Sequence, residues 1–535
     1  MNQRTAKKTQ KQSDHGKEWL VVALIFAAAL SIRLIGLKFS FPLLTHHDEI
    51  FIMDPLVTMS KGRTLDSGHY NKPTQILYTA LFFWLNFLSK LKFHQNMGWA
   101  YPQNPLFFYY HARLLMAFVG SLVPVAAWKI GKSFRGIDFS LPAAFLTCFY
   151  PPYVIHSHYI GVDVSTTLFT LIIILLCLSY LKTDKPLWLI LASAMVAVNV
   201  LEKYPGALSF FIPVVTLGIK AFIKDDTGAR RGWRFFITWM GISLGVTLVS
   251  MLVIAPHLFI KWQQVRDALI YEGRSTHLGA DNLNWGGNLL FYLREFINNA
   301  GWLVVLFAGV GIIALISIKQ PAVLLLFYGG GYWVALSKLG LHWERWSLPM
   351  MTTLLLAAAA GISWLWQRAS RQWTRLVLAI IITAGGALYI VNGLTASVLF
   401  TWQDTRNIAL EYLQSENITP EKTISEGYSP YLPRTVKTIF EFDAGQSPQI
   451  DYVILSSYMY GRYEAEPERY ATELEFYDQL RQNALLLREF EPSPQPDGFL
   501  EKVRAIYEFA SRTLHSEPSL SFFGPNLQIY QLTAD

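Results

Sequence analysis

Residues 74–91, TQILYTALFFWLNFLSKL, decide how this chain is threaded through a membrane. The stretch is apolar and long enough to cross a bilayer, and if it crosses, every later loop changes sides. Other apolar spans lie at roughly 19–37, 110–130, 138–155, 164–181, 186–202, 206–223, 235–256, 301–318, 321–337, 346–366 and 374–398. Cations choose between the two threadings, because cytoplasmic loops carry an excess of Lys and Arg. With 74–91 lying in the interface, four clusters fall on the cytoplasmic side. They are Lys129/Lys132/Arg135, Lys182/Lys185, Lys220/Lys224/Arg230/Arg231/Arg234 and Arg368/Arg371/Arg375. With 74–91 crossing, all four move outside. Lys90 and Lys92 argue the other way and are outvoted. The expectation is therefore about eleven transmembrane helices and a surface helix over 74–91.

The composition fits. Of 535 residues, 52% are hydrophobic and 16% charged, against about 25% charged in a soluble domain. The fold class read here is a polytopic α-helical membrane protein with a C-terminal soluble α/β domain. Residues 1–18, with Arg4, Lys7, Lys8, Lys11 and Lys17, read as a cytoplasmic tail before an uncleaved first helix. Residues 19–400 form the membrane domain, with a first external loop at 38–109, and 401–535 the extracytoplasmic α/β domain. The run Asp451–Ser457 and the segment after Gly524-Pro525 read as strands, and Ala471 to Phe490 has helical spacing. The net charge of +7 sits in short loops rather than on one soluble face, which excludes a nucleic-acid partner. Cys148 and Cys177 lie in apolar spans and read as inert packing residues.

This threading puts the unusual polar residues on one face. Loop 38–109 holds His46-His47-Asp48-Glu49 and Lys72-Pro73. Carboxylates beside a bilayer are costly, and one placed at a mouth can accept a proton or bind a cation; the plain alternative is a solvated helix end. The second external loop holds His156, His158 and Asp163. With Asp48 these are the candidate ligands if a divalent cation is used, although Asp163 would also serve simply as a helix N-terminal charge. Glu202-Lys203 either snorkel as a pair or reach a substrate. His342 and Arg345 are candidates for an anionic group, or belong to an aromatic belt. No phosphate-cradling Gly loop or nucleophile elbow is present, so a donor delivered through the membrane is expected.

The order of these features resembles the integral-membrane glycosyltransferases of the C-type fold, in the protein O-mannosyltransferase and aminoarabinose-transferase group. The resembling elements are Asp48-Glu49 after the first helix, Lys72-Pro73, His111-Ala112-Arg113-Leu114, Gly131 to Gly136, His158-Tyr159, Asp163, Lys203 to Gly206 and His342 to Pro349. The resemblance implies sugar transfer from a polyprenyl-phosphate carrier to a glycan, lipid or protein acceptor at the external face of the plasma (inner) membrane, with inversion. It implies Asp48 as base, Glu49 and Asp163 in support, and Lys72, His158, Lys203, His342 and Arg345 on the substrate side. The chain departs from the family in Pro73-Thr74, commonly Pro-Pro, and in Arg345-Trp346, commonly Arg-Tyr. The competing readings are a transporter or flippase, which would show internal repeats, and a polymerase or ligase of lipid-linked glycans.

Overall fold

The computed structural model describes residues 3–63, 75–134, 138–224, 229–274, 277–279, 283–318, 320–441, 450–491 and 524–532. Each apolar span named above is helical, and the chain is a multi-pass membrane protein. Among the described residues, six helical stretches are long and apolar enough to cross a bilayer unaided: Pro105–Ser133, Asp163–Thr183, Tyr204–Phe222, Gly232–Ile254, Glu344–Arg368 and Gln372–Ser415. A seventh is a bent pair, Trp285–Ala300 and Trp302–Ser317, meeting at 115°. Other expected spans are shorter, as in Pro186–Glu202, or broken, as in Ser140–Cys148 followed by Pro151–His156.

The tightest packing joins helices Trp302–Ile318 and Leu348–Arg368. The second contains Ala357-Ala358-Ala359-Ala360-Gly361. A Cβ on Gly311 would lie 1.7 Å from the Ala357 carbonyl oxygen, and one on Gly361 2.1 Å from that of Phe307. Between lipid-embedded helices, small residues permit such backbone approach, and dispersion then holds the pair.

Gln75–Phe93 is a helix with two unlike faces. Leu77, Tyr78, Leu81, Leu85 and Ser89 are buried, whereas Phe83, Phe87 and Leu91 are each at least 60% exposed. It falls outside the six spans and packs on helix His47–Ser60 and on Pro186–Glu202. With Ile52, Met53, Leu56, Met97, Phe108 and Tyr109 it forms a core of its own, a cap over one end of the bundle.

The C-terminal part holds strands β1 (Thr423–Ser425), β2 (Tyr452–Ser456), β3 (Ala484–Phe490) and β4 (Leu527–Leu532) in the order β1-β2-β4-β3. β1 and β2 are parallel; β4 is antiparallel to both neighbours. The helix expected over 471–490 ends at Asn483 and continues as β3. Leu-rich Ala484–Phe490 has helical propensity, but pairing with β4 overrides it, a tertiary effect invisible to local periodicity.

Candidate active site

Helix His47–Ser60 carries Asp48 and Glu49 in its first turn, where acids oppose the positive end of the helix dipole. Consecutive residues on a helix point about 100° apart, so the two acids diverge. Glu49 turns inward and is fully buried. It accepts from Arg113 Nε at 3.0 Å and Nη2 at 2.6 Å, and from the Ile160 amide at 3.0 Å. Arg113 Nη1 donates to the carbonyls of Leu37 and Phe39, both at 3.1 Å, and its guanidinium lies 3.6 Å from the Phe39 ring centre. One fully hydrogen-bonded ion pair thus ties the end of the first span, the Asp48 helix, helix Pro105–Ser133 and the loop at Ile160 together. Glu49 fixes the place of Asp48 rather than facing the mouth.

Asp48 turns outward, its side chain 45% exposed, and pairs with Arg345. Beside it Asp163 pairs with Lys203, and both of those side chains are mostly buried. Lys203 lies within electrostatic range of both Asp163 and Asp48, and Arg345 likewise acts on both. His156 and His46 belong to the same group, and His46 stacks on Tyr159 at 3.9 Å. The structure therefore brings Asp48, Asp163, Lys203 and Arg345 into one cluster from four separate stretches of chain. Burial raises the Asp48 carboxyl, but the Arg345 charge and His46 outweigh it and hold it below the usual carboxylate range. For His46, burial outweighs the pull of Glu49 and Asp48 and holds the imidazole below its ordinary value.

Other expected site residues stand elsewhere. His158 is fully buried, stacked on Phe400 at 4.3 Å, with Nδ1 and Nε2 each 2.7 Å from a backbone carbonyl, of Val154 and Ile35. Burial brings its pKa down to about 4; the neutral ring donates to one of these carbonyls only, and its burial between the loop backbone and Phe400 makes it a packing residue of the loop. His342 rests on Phe291 at 4.1 Å. Lys72 lies outside the described residues. Glu202 and Lys203 do not snorkel as a pair: Lys203 turns to Asp163, while buried Glu202 accepts from Ser165 and from the Leu77 amide at 2.9 Å. Glu202 thereby caps the start of helix Gln75–Phe93, satisfying one of its orphan N–H groups.

Sequence reasoning missed a second anchor. Asp404, in the segment entering the C-terminal domain, accepts from Ser40 at 2.8 Å, from Thr45 at 3.4 Å and from the Arg406 guanidinium through two contacts at 2.7 Å. Arg406 also donates to the Thr45 carbonyl, and Asn407 to that of Ser40. The loop just before Asp48 is thus held by residues from the other end of the membrane domain. The hint available was an Asp before a helix, a capping signal, which says nothing of its distant partners. Tyr428, from the sheet domain, stands over His47 with ring centres 5.8 Å apart.

Among the described residues, no three His, Cys, Asp or Glu side chains converge as metal ligands. Of the candidate set, Asp48 and Asp163 are ion-paired and His158 is engaged by backbone.

No protein-family model and no curated protein matches this chain. Solved structures do. The oligosaccharyltransferase AglB from Archaeoglobus fulgidus, in complex with an inhibitory peptide and a dolichol-phosphate, aligns with TM-score 0.51 at 10% identity, over 96% of this chain and 88% of that one. The same archaeal enzyme tethered to an acceptor peptide gives TM-score 0.52 at 11% identity, over 89% and 73%. This chain has the C-type glycosyltransferase fold. ArnT from Cupriavidus metallidurans bound to undecaprenyl phosphate aligns at 16% identity with TM-score 0.46, over 74% of this chain and 72% of that chain.

Proposed function

We propose that this protein is a membrane glycosyltransferase that moves a sugar from a polyprenyl-phosphate carrier to an acceptor hydroxyl at the extracytoplasmic face. The observation that carries the reading is the outward carboxylate of Asp48, held rigidly by Glu49–Arg113 and ringed by Arg345, Lys203 and Asp163. A lipid-phosphate leaving group needs nearby cations, and an acceptor hydroxyl needs a base within hydrogen-bond reach.

In this scheme Asp48 takes the proton of the acceptor O–H as that oxygen bonds to the anomeric carbon. The bond from that carbon to the carrier phosphate breaks, and the phosphate leaves with the electron pair. Single displacement inverts the anomeric centre. Arg345 and Lys203 neutralise the leaving phosphate. Paired to Arg345, Asp48 is a weak base; an arriving phosphate competes for that guanidinium and frees the carboxylate. The base is thereby activated by donor binding. Asp163 holds Lys203 in place.

The extracytoplasmic assignment is supported by the basic clusters at the opposite ends of the helices. Lys132 meets Glu18 there at 3.7 Å, and Asp184 meets both Lys220 and Arg231. A deletion strain tests the function: its surface glycans and lipid-linked sugars should lose one modification, restored by the wild-type gene and not by Asp48→Asn. Unchanged glycans, or full rescue by Asp48→Asn, would defeat the proposal.

A further inference from the structure

Helix Ser457–Glu464 of the sheet domain carries Tyr458 and Arg462 four residues apart, on one face. That face meets Tyr428, whose ring centre lies 6.0 Å from that of Tyr458. Arg462 Nη2 donates to the Tyr428 hydroxyl at 3.0 Å, and its guanidinium carbon stands 4.7 Å from the Tyr428 ring centre. The chain at Gly279, with φ 80°, packs on the arginine stem, where a Cβ would come within 3.0 Å of Arg462 Cγ. Tyr428 itself has φ 66°, the left-handed region that a bulky residue rarely enters. Such outliers persist where their surroundings over-determine them, and they cluster at ligand contacts.

The guanidinium held in this way has no carboxylate partner among the described residues. The acids nearest to it in sequence turn elsewhere, Glu464 to Arg481 at 3.6 Å and Glu466 to Arg469 at 3.2 Å. Cations around Asp48 differ, since Arg345, Lys203 and Arg406 each meet an aspartate. Arg462 is half-buried. Its Nε and Nη1 make no hydrogen bond among the described residues, and neither is sealed from solvent.

Two contacts place this arginine at the rim of the candidate active site. Tyr428 stands over His47 at 5.8 Å, and His47 directly precedes Asp48. His277, two residues before Gly279, meets Trp343 edge-on at 5.7 Å, and Trp343 is two residues from Arg345. Arg462 belongs to the sheet domain, whereas a carrier's apolar tail requires the membrane helices. A fixed arginine fork without a counter-charge suits an oxyanion, which it can bind through two parallel N–H donors. We infer that Arg462, oriented by Tyr428, binds a phosphate or carboxylate group borne by the acceptor, so that the acceptor is an anionic molecule. Its place in the reaction rests on the transfer proposed above, whereas the anion site is testable without turnover.

The test titrates the full chain, in phosphatidylcholine nanodiscs, with methyl glucoside, methyl glucuronide and methyl glucoside 6-phosphate. These probes share a ring and differ in charge. Wild-type protein should bind at least one anion about tenfold more tightly than the neutral glycoside, the ratio expected of one charge-assisted hydrogen bond. The tighter of the two anions names the group as phosphate or carboxylate. Arg462→Gln should abolish the preference with the thermal midpoint retained, and Arg462→Lys, which keeps the charge and loses the fork, should keep part of it. Equal binding of charged and neutral probes by the wild-type protein would overturn the inference, and that measurement needs no variant to fold. A preference that survives Arg462→Gln and vanishes in Arg345→Gln would seat the anion beside Asp48 and overturn it too. So would a preference abolished by adding phosphatidylglycerol to the disc, which would make a lipid headgroup the ligand. If the anion preference holds while Asp48→Asn retains transfer, the proposed function fails and the site stands; the converse strikes the site alone.

Discussion

The two ends of helix Asp163–Thr183 are built from the same parts and differ in everything that matters for chemistry. At one end Asp163 meets Lys203; about 31 Å away, just past the other, Asp184 meets Arg231 and, at 3.4 Å, Lys220. The Asp163 side chain is 11% exposed and that of Asp184 40%. Water screens the second group, and such pairs contribute little. At the first, desolvation makes the charges expensive to hold and strong in their action on one another. On the proposed function, the dry end is where a charged substrate would be met, and the wet end would lie at the cytoplasmic surface.

The largest expected break of this contrast is Asp48→Asn. Transfer in membranes should fall by about 10²- to 10⁴-fold, the usual share of a general base, with expression and thermal midpoint unchanged. Glu49→Gln should act first on stability, and on transfer only through the displaced Asp48. It leaves Arg113 buried without its anion, so stability should fall by about 3–5 kcal/mol, read as a lowered thermal midpoint in detergent. Equal effects of the two variants on stability would refute the division between outward base and inward anchor.

A subtler case lies in the sheet domain. Glu426 is buried against the Ser456 amide and the Tyr477 hydroxyl, and burial pushes its pKa up to about 7. A carboxyl raised above its unfolded value near 4.3 binds its proton more tightly when folded. Stability should therefore decline as pH rises from about 4.3 to 7. Glu426→Gln should flatten that slope in a thermal-melt series. The smallest effect belongs to Asp184→Asn, expected within about 1 kcal/mol and without effect on transfer. A large loss of activity there would erase the distinction between the two helix ends.

Much of this was legible in residue order. The helices of the membrane domain followed from the apolar runs, and Asp48 stood out because an acid beside a bilayer needs a reason. The partners were not legible. Arg113 lies 64 positions from Glu49, and Asp404 lies 364 from Ser40; local spacing carries no trace of such distances. His158 misled because a histidine in an external loop looks available until its carbonyl partners are seen. Ala484–Phe490 misled because strand pairing with Leu527–Leu532 is decided by a segment more than thirty residues later.

The Asp404 anchor also has a consequence for biosynthesis. Chains emerge from the ribosome N-terminus first, so Ser40 and Thr45 enter the membrane long before Asp404, Arg406 and Asn407 exist. The loop that presents Asp48 receives these fastenings only after the last span has been made. A nascent or prematurely terminated chain would carry the carboxylate on an unfastened loop, so the distal segment acts as a certificate of completion for the mouth.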